Sequence, residues 1–526
     1  MNLTAQRMDL EKRCAVGEGL SAPIQKIPTE ILEKIFVQSL PHFVWEYSEP
    51  HLYDDPLDFF PQNPHDARGR LGEVCRKWKI VTETAPRLWS EIILDGPLPS
   101  DIGIVDTWLT RSQSCPLDLY IEPNSWFKGD DQSRLQDLFL RLRREIPRLR
   151  GFVIKLECYD EIHRLFPFDL VTEAPNMELF GVLCDDTVQH ADEDAIVGGS
   201  INAPKLRSIR DLGGKFQAFT PTTYSTLQRL TIRVPSKASN FYLPTLALCG
   251  NLEFLHWTEC DDRVVDYIVG RLHPRVMLSA LKQMAFSTAD AESPPDFFDS
   301  IRAPALERLK YDPSSNLPAI FHPPAAGMLR LLLKDSFSSL RELDLWNATL
   351  SGPETMELFN QLVSLHTIFM FDCCLEAPFF DALNPRTNTF AAACPRLVKL
   401  SIVDCQFPIF NLVDFIQHRT QPDVEERSPG YLTTVEVEAY SRKVEHASIL
   451  RALQQTHGST LRLELRVRFG PFVSGAVLIV VSTLVHESIY RIKRASTIGR
   501  VEYCAAYQLL VNSTSTKRGW YLFNHA

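Results

Sequence analysis

The sequence predicts an α/β protein in which a small N-terminal three-helix module precedes an irregular solenoid of short strands and returning segments. Three observations predict it. A six-residue phrase, LxxLxΦ with Φ a large apolar residue, recurs along most of the chain. The N-terminal segment instead carries helical apolar spacing punctuated by prolines. Hydrophobic residues at 45% and charged residues at 23% give ordinary globular composition rather than disorder.

The first helix is read from Ile27-Pro28-Thr29-Glu30-Ile31-Leu32-Glu33-Lys34-Ile35-Phe36. Pro28 suits the first helical position, where a missing N–H costs nothing, and Glu30 complements the helix dipole. Ile31, Leu32, Ile35 and Phe36 are spaced to form one apolar face, and Pro41 stops the helix. The second helix runs from Arg70 to Glu83, with Leu71, Val74, Cys75, Trp78 and Val81 repeating at three and four residues. Pro86 starts a third, short helix that carries Leu88, Trp89 and Ile92. So short a module has too little chain for a core of its own, so its large apolar side chains need a partner surface. That surface is a partner protein or the domain that follows.

Taken in order, Ile27-Pro28-xx-Ile31-Leu32-xx-Ile35-Phe36, Val74-Cys75-xx-Trp78 and Leu88-Trp89 resemble the F-box motif. Leu20-Ser21-Ala22-Pro23-Ile24 before it resembles the flank found in a large family of F-box proteins of mushroom-forming fungi. So does Trp108-Leu109-x-Arg111-Ser112-x-Ser114-x-Pro116-Leu117-x-Leu119 after it. The resemblance implies a three-helix F-box module over residues 23–95, with 1–22 as a tail. It implies docking on the Skp adaptor, and through it a cullin, by Pro28, Ile31, Leu32, Ile35, Phe36, Leu71, Val74, Cys75, Trp78, Leu88 and Trp89. Residues 41–66, rich in Pro, aromatics and Asp, depart from the family pattern and read as a loop insertion. A helical cap on the array is the competing reading of the module.

The best copies of the phrase begin at Leu227, Leu252, Leu306, Leu340, Leu365 and Leu397; weaker ones begin at Leu149, Met177, Leu206, Leu281 and Leu432. Successive starts lie 21 to 35 residues apart, around the period of leucine-rich repeats, about 20–29 residues. Positions 4 and 6 alternate inward on a short strand and position 1 packs beneath them, so residues 96–470 form a leucine-rich-repeat-like solenoid. Helical returns are expected over Val264 to Leu272, Met356 to Leu362 and Ala447 to Gln455. Cys260, Cys373 and Cys405 hold position 9, where a small polar residue satisfies backbone groups after the strand. Residues 471–526 lose the phrase and read as a divergent C-terminal segment. A compact α/β domain with unrelated strands is the fold alternative.

A net charge of −10 argues against a surface that tracks nucleic-acid phosphates, though not against a local basic patch. The longest apolar run, Phe472 to Leu484, is too short for the about 20 residues a bilayer needs, so no membrane contact is expected. Twelve scattered cysteines without a CxxC pair read as reduced thiols of a cytosolic or nuclear protein. Phosphate loop, GxSxG, HExxH and EF-hand signatures are absent, and no nucleophile–base pair is nominated. Asp185, Asp186, Asp192, Glu193 and Asp194, with His190, read as solvated surface. No catalytic residue, metal or cofactor is expected.

Positions 3, 5 and 7 of each phrase project from the open face of the sheet. They place Phe254, His256, Arg308, Lys310, Asp344, Trp346, Phe369 and Phe371 on one candidate target-binding surface. The resemblance then implies a non-catalytic substrate receptor of an SCF-type (Skp-cullin-F-box) ubiquitin ligase. An adaptor-binding protein with a structural or sequestering role and an enzyme on a repeat scaffold are the alternatives.

Overall fold

The structure is a computed structural model. It describes residues 6–9, 26–40, 65–95, 103–122, 131–156, 171–184, 201–211, 219–235, 242–260, 275–288, 295–313, 323–384, 394–420, 432–439, 462–467 and 479–481. The predicted returns at 264–272 and 447–455, the insertion from 41 to 64 and nearly all of 471–526 lie outside these residues. Among the described residues no helix is long and apolar enough to cross a membrane.

The N-terminal module is helical, with two differences from expectation. Helix α1 (Thr29–Ser39) starts one residue after Pro28, whose carbonyl accepts the first hydrogen bonds, from the N–H groups of Ile31 and Leu32. The single second helix is in fact two, α2 (His65–Val74) and α3 (Arg76–Thr84), so the insertion ends before His65. Cys75 between them is extended, at φ −163° and ψ 167°, and this resets the helical phase that periodicity alone carries straight through. A short 3-10 turn, Pro86–Trp89, follows.

The rest is one mixed α/β body built on a 15-stranded sheet whose strands are adjacent in chain order. The strands are β1 (Glu91–Asp95), β2 (Leu117–Glu122), β3 (Leu149–Leu156), β4 (Leu179–Cys184), β5 (Ser208–Asp211), β6 (Arg229–Pro235), β7 (Phe254–Cys260) and β8 (Gln283–Ser287). They continue as β9 (Arg308–Asp312), β10 (Glu342–Trp346), β11 (Thr367–Phe371), β12 (Lys399–Val403), β13 (Thr434–Ala439), β14 (Arg462–Val467) and β15 (Ile479–Val481). Neighbours from β1 to β14 pair in parallel; β15, from the C-terminal segment, closes the edge antiparallel to β14. Parallel neighbours need a crossover, and the return helices supply it. These include α4 (Gly103–Arg111) and α5 (Asp131–Arg143) near the module, then α6 (Pro221–Thr226) and α7 (Leu243–Leu246). Later come α8 (Pro295–Ser300), α9 (Ala326–Leu333), α10 (Gly352–Gln361), α11 (Ala377–Leu383) and α12 (Ile409–Thr420). The prolines scattered between phrases have a use: α6, α7, α10 and α11 each carry one in the first turn.

The phrase maps onto this sheet in register. Leu255, Leu309, Leu343, Ile368 and Leu400 hold position 4; Trp257, Tyr311, Leu345, Met370 and Ile402 hold position 6. All are buried. Beyond the strand, Asn347, Asp372 and Asp404 all adopt left-handed backbone, at φ 50°, 47° and 55°. Asn and Asp tolerate that region best among residues with a side chain, and it turns the chain off the sheet. Cys373 and Cys405 follow as expected. The Cys373 N–H donates to Cys405 Sγ at 3.3 Å, and the Cys405 thiol lies 3.2 Å from the Val403 carbonyl.

The sheet begins earlier than the phrase. Register carries Phe152, at position 4 of the Leu149 copy, onto Leu119 and then Ile92. Ile92 is therefore in a strand, not the third helix, and Trp89 fills the place that leucine holds in later units. The hydrophobic core is continuous from Leu32 and Phe36 through Trp89 to Val437. Arg68 of α2 is sealed into this junction: it donates to the Glu91 carbonyl, and with Arg111 it lies against the Trp89 ring. Burial lowers its pKa to about 10, against the pull of Glu91. The flank at Trp108 to Leu119 is α4 and β2, tied down by Arg148, which donates to Ser112 Oγ, Cys115 O and Leu109 O.

Strands β3 and β4 show how tightly one face is fitted. A Cβ built on Gly181 would come within 2.8 Å of Val153 Cγ2. Gly181→Ala is expected to cost about 1–3 kcal/mol in a denaturant titration, as overpacking does. Adding Val153→Ala should recover most of the loss; equal stability of Gly181→Ala and the native chain would contradict the contact.

Candidate functional site

The residues expected on the module's docking face divide into three groups. Leu32 and Phe36 are 1% exposed, and Leu88 and Trp89 are also core. They hold the module onto the sheet, with the Phe36 ring edge-on to Trp78 at 4.7 Å. Leu71, Cys75 and Trp78 are half-buried. Pro28, Ile31, Ile35 and Val74 face outward, Ile31 at 45%, Ile35 at 43% and Val74 at 60% exposure. The one apolar face expected of α1 is thus two: Leu32 and Phe36 point inward, while Ile31 and Ile35 point outward. Sequence reasoning missed Ile80, 50% exposed on α3. Its signal was an isoleucine lying off the Leu71–Val81 stripe.

The second candidate surface is the sheet face opposite the return helices. Register places Lys310, Asp344 and Phe369 side by side on β9, β10 and β11, with Trp346 beside Phe371. The Trp346 ring centroid lies 4.5 Å from that of Phe371 and 6.1 Å from that of Phe369. The Lys310 ammonium stands 4.2 Å over Trp346, a cation–π contact. Arg308 is held by Glu342 on the next strand. These residues form the expected patch, but it is half-buried rather than open.

Two of the expected surface residues are buried. Phe254 and Asp344 are each 7% exposed. Phe254 lies between Arg229 and Gln283 in register, and Asp344 between Lys310 and Phe369. His256 lies two strands from Lys310. Burial, then the charges of Lys310 and Arg210, push its pKa down to about 4, so it is neutral near pH 7.

Among the described residues no group of three His, Cys, Asp or Glu side chains is placed to hold a metal ion. The acidic run at 185–194 lies outside them. The described cysteines are free thiols, and burial pushes Cys249 and Cys394 up to about 12, far from thiolate chemistry at neutral pH.

No protein-family model matches the sequence, and no curated protein matches it. Among solved structures, the chain is similar to an internalin (inlF) from Listeria monocytogenes at 14% identity and a TM-score of 0.22. The match covers 56% of this chain and 94% of that one.

Proposed function

We propose that this chain is an F-box protein that acts as the substrate-recognition subunit of an SCF-type ubiquitin ligase. In this reading the helical module docks on the Skp adaptor, and through it a cullin, while the open sheet face holds a target protein. Such a receptor catalyses no bond change; it raises the target's effective concentration near the conjugating machinery by tethering. The motif resemblance supports the reading, and one structural observation carries it. A module whose own core is already satisfied still presents Ile31, Ile35, Val74 and Ile80 to solvent, four β-branched apolar side chains on three short helices. Exposed apolar residues concentrated on so small a unit are what a protein partner covers.

The experiment uses the exposed residues rather than the buried ones, because Leu32→Ala would damage the fold itself. Ile31→Ser and Ile35→Ser are expected to leave the melting temperature nearly unchanged. Each should weaken co-purification of the Skp adaptor with the tagged chain about tenfold, the scale of an interface anchor. Full adaptor retention by the folded double variant would overturn the assignment.

A further inference from the structure

Just past the ends of β11 and β12, two neighbouring units bring a pair of thiols together. The Gln406 N–H donates to the Cys373 carbonyl and the Leu375 N–H to the Gln406 carbonyl, both at 2.8 Å, so Cys374 and Gln406 form a parallel bridge. Cys373 and Cys405, each one residue earlier, therefore stand opposite each other. Side chains alternate along such a bridge. Here Cys374 and Gln406 turn outward, while Cys373 at 0% exposure and Cys405 at 8% turn in on the same side. The Cys373 N–H meets Cys405 Sγ at 3.3 Å, and the two thiols are hydrogen-bonded to each other. Satisfying backbone groups after the strand does not by itself call for sulfur. Ala348 fills the same place in the preceding unit, opposite Cys373 on its other side. Two thiols in mutual contact are what that structural role leaves unexplained.

We propose that Cys373 and Cys405 are an oxidation site, a dithiol that a hydroperoxide converts to a disulfide joining two repeat units. Neighbouring parallel chains run about 4.8 Å apart, inside the Cα separation of about 4.4–6.8 Å that a disulfide spans. Cys405, which alone of the two keeps exposed surface, attacks hydrogen peroxide; the O–O bond breaks, leaving a sulfenic acid and one water. The Cys373 sulfur then attacks the Cys405 sulfur, and the sulfenic oxygen leaves with a proton as a second water. Two thiols lose two electrons and two protons, and one hydrogen peroxide becomes two waters. Burial, ahead of the contact with Cys373, holds the Cys405 thiol well above its ordinary range. The first step is therefore slow, and the pair answers sustained rather than brief exposure. The bond lies two residues past Phe371 on β11 and two past Val403 on β12. It ties together the strand ends beside the Trp346–Phe371 pair, and a thiol reductant releases them. The site stands whether or not the chain is a ligase receptor.

The test treats the folded full chain with excess hydrogen peroxide, blocks the remaining thiols with N-ethylmaleimide and maps cross-linked tryptic peptides by mass spectrometry without reduction. A link between the peptides that carry Cys373 and Cys405 is expected as the main product, and dithiothreitol should return both thiols. Trypsin leaves Cys373 and Cys374 on one peptide, so Cys374→Ser decides between them, and the link is expected to persist in it. The link should be lost in Cys405→Ser, whose hydroxyl still accepts the Cys373 N–H, and in Cys373→Ala, which copies Ala348. Either variant serves if the other fails to fold. Three results would overturn the site: no such link in a chain whose half-buried Cys374 has been oxidised, loss of the link in Cys374→Ser at unchanged melting temperature, or the same scatter of links as in the urea-unfolded chain.

Discussion

Trp257→Ala is expected to remove about 3–5 kcal/mol of stability, the range for truncating a fully buried large aromatic. Trp257 is 0% exposed and heads the largest fully buried side chains of the described residues. It holds position 6 of β7, flanked in register by Ile232 and Phe286. Tyr242, just before α7, meets its ring edge-on at 6.1 Å. Position 6 is where neighbouring units share their interior, so the void opens between three strands and a return at once. In a solenoid each unit leans on its neighbours, and the loss spreads beyond β7. Urea unfolding followed by far-UV circular dichroism measures it. Trp257→Phe should lose far less, and a loss under about 1 kcal/mol for the alanine variant would mean that the ring is not core.

The second large effect is a stability loss in acid traced to His256. In the unfolded chain this imidazole takes up its proton near pH 6.5; in the folded protein it does so only at about 4. Above pH 6.5 it is neutral in both states and its contribution to stability is complete. As the pH falls through that value the unfolded state binds the proton first, and stability drops by up to about 1.4 kcal/mol per pH unit. By pH 4 the accumulated loss is at most about 3 kcal/mol on that scale. Other groups also titrate in this window, so the difference between the native chain and His256→Gln isolates the effect. The two curves should diverge below pH 6.5, with the glutamine variant flatter; parallel curves from pH 7 to 4 would show that the histidine keeps its ordinary pKa.

The sheet was legible where leucine stands at position 1, because packing beneath the strand demands a large apolar residue there. It was illegible at β1, where the same place holds Trp89, and at β2, where a register shift at Leu117/Asp118 sets Leu117, one residue closer to the strand than the phrase allows, against Leu149. The tryptophan fills the space as well as leucine does, yet a search for the phrase passes over it and gives Trp89 to the docking face. Helix periodicity failed at Cys75 for a related reason. The apolar spacing continues across it, and only the extended backbone at that residue shows that the chain changes direction. At the candidate site, the phrase placed positions 3, 5 and 7 correctly, bringing Trp346, Phe369, Phe371 and Lys310 together. It could not show that Phe254 and Asp344 are buried, since that depends on packing between strands far apart in sequence.

The sealing of Arg68 against Trp89 and Glu91 has a mechanical consequence. No hinge separates the module from the first strand, so the sheet acts as a ruler graduated in strand spacings of about 4.8 Å. The Trp346–Phe371 pair of the candidate surface, on β10 and β11, lies about 43–48 Å along that ruler from β1. Anything bound there is carried at a fixed offset and orientation from whatever grips α1. Inserting or deleting one strand-and-return unit between β1 and β5 would therefore move the cargo by one graduation and rotate it by the sheet's twist, while leaving both contact surfaces intact.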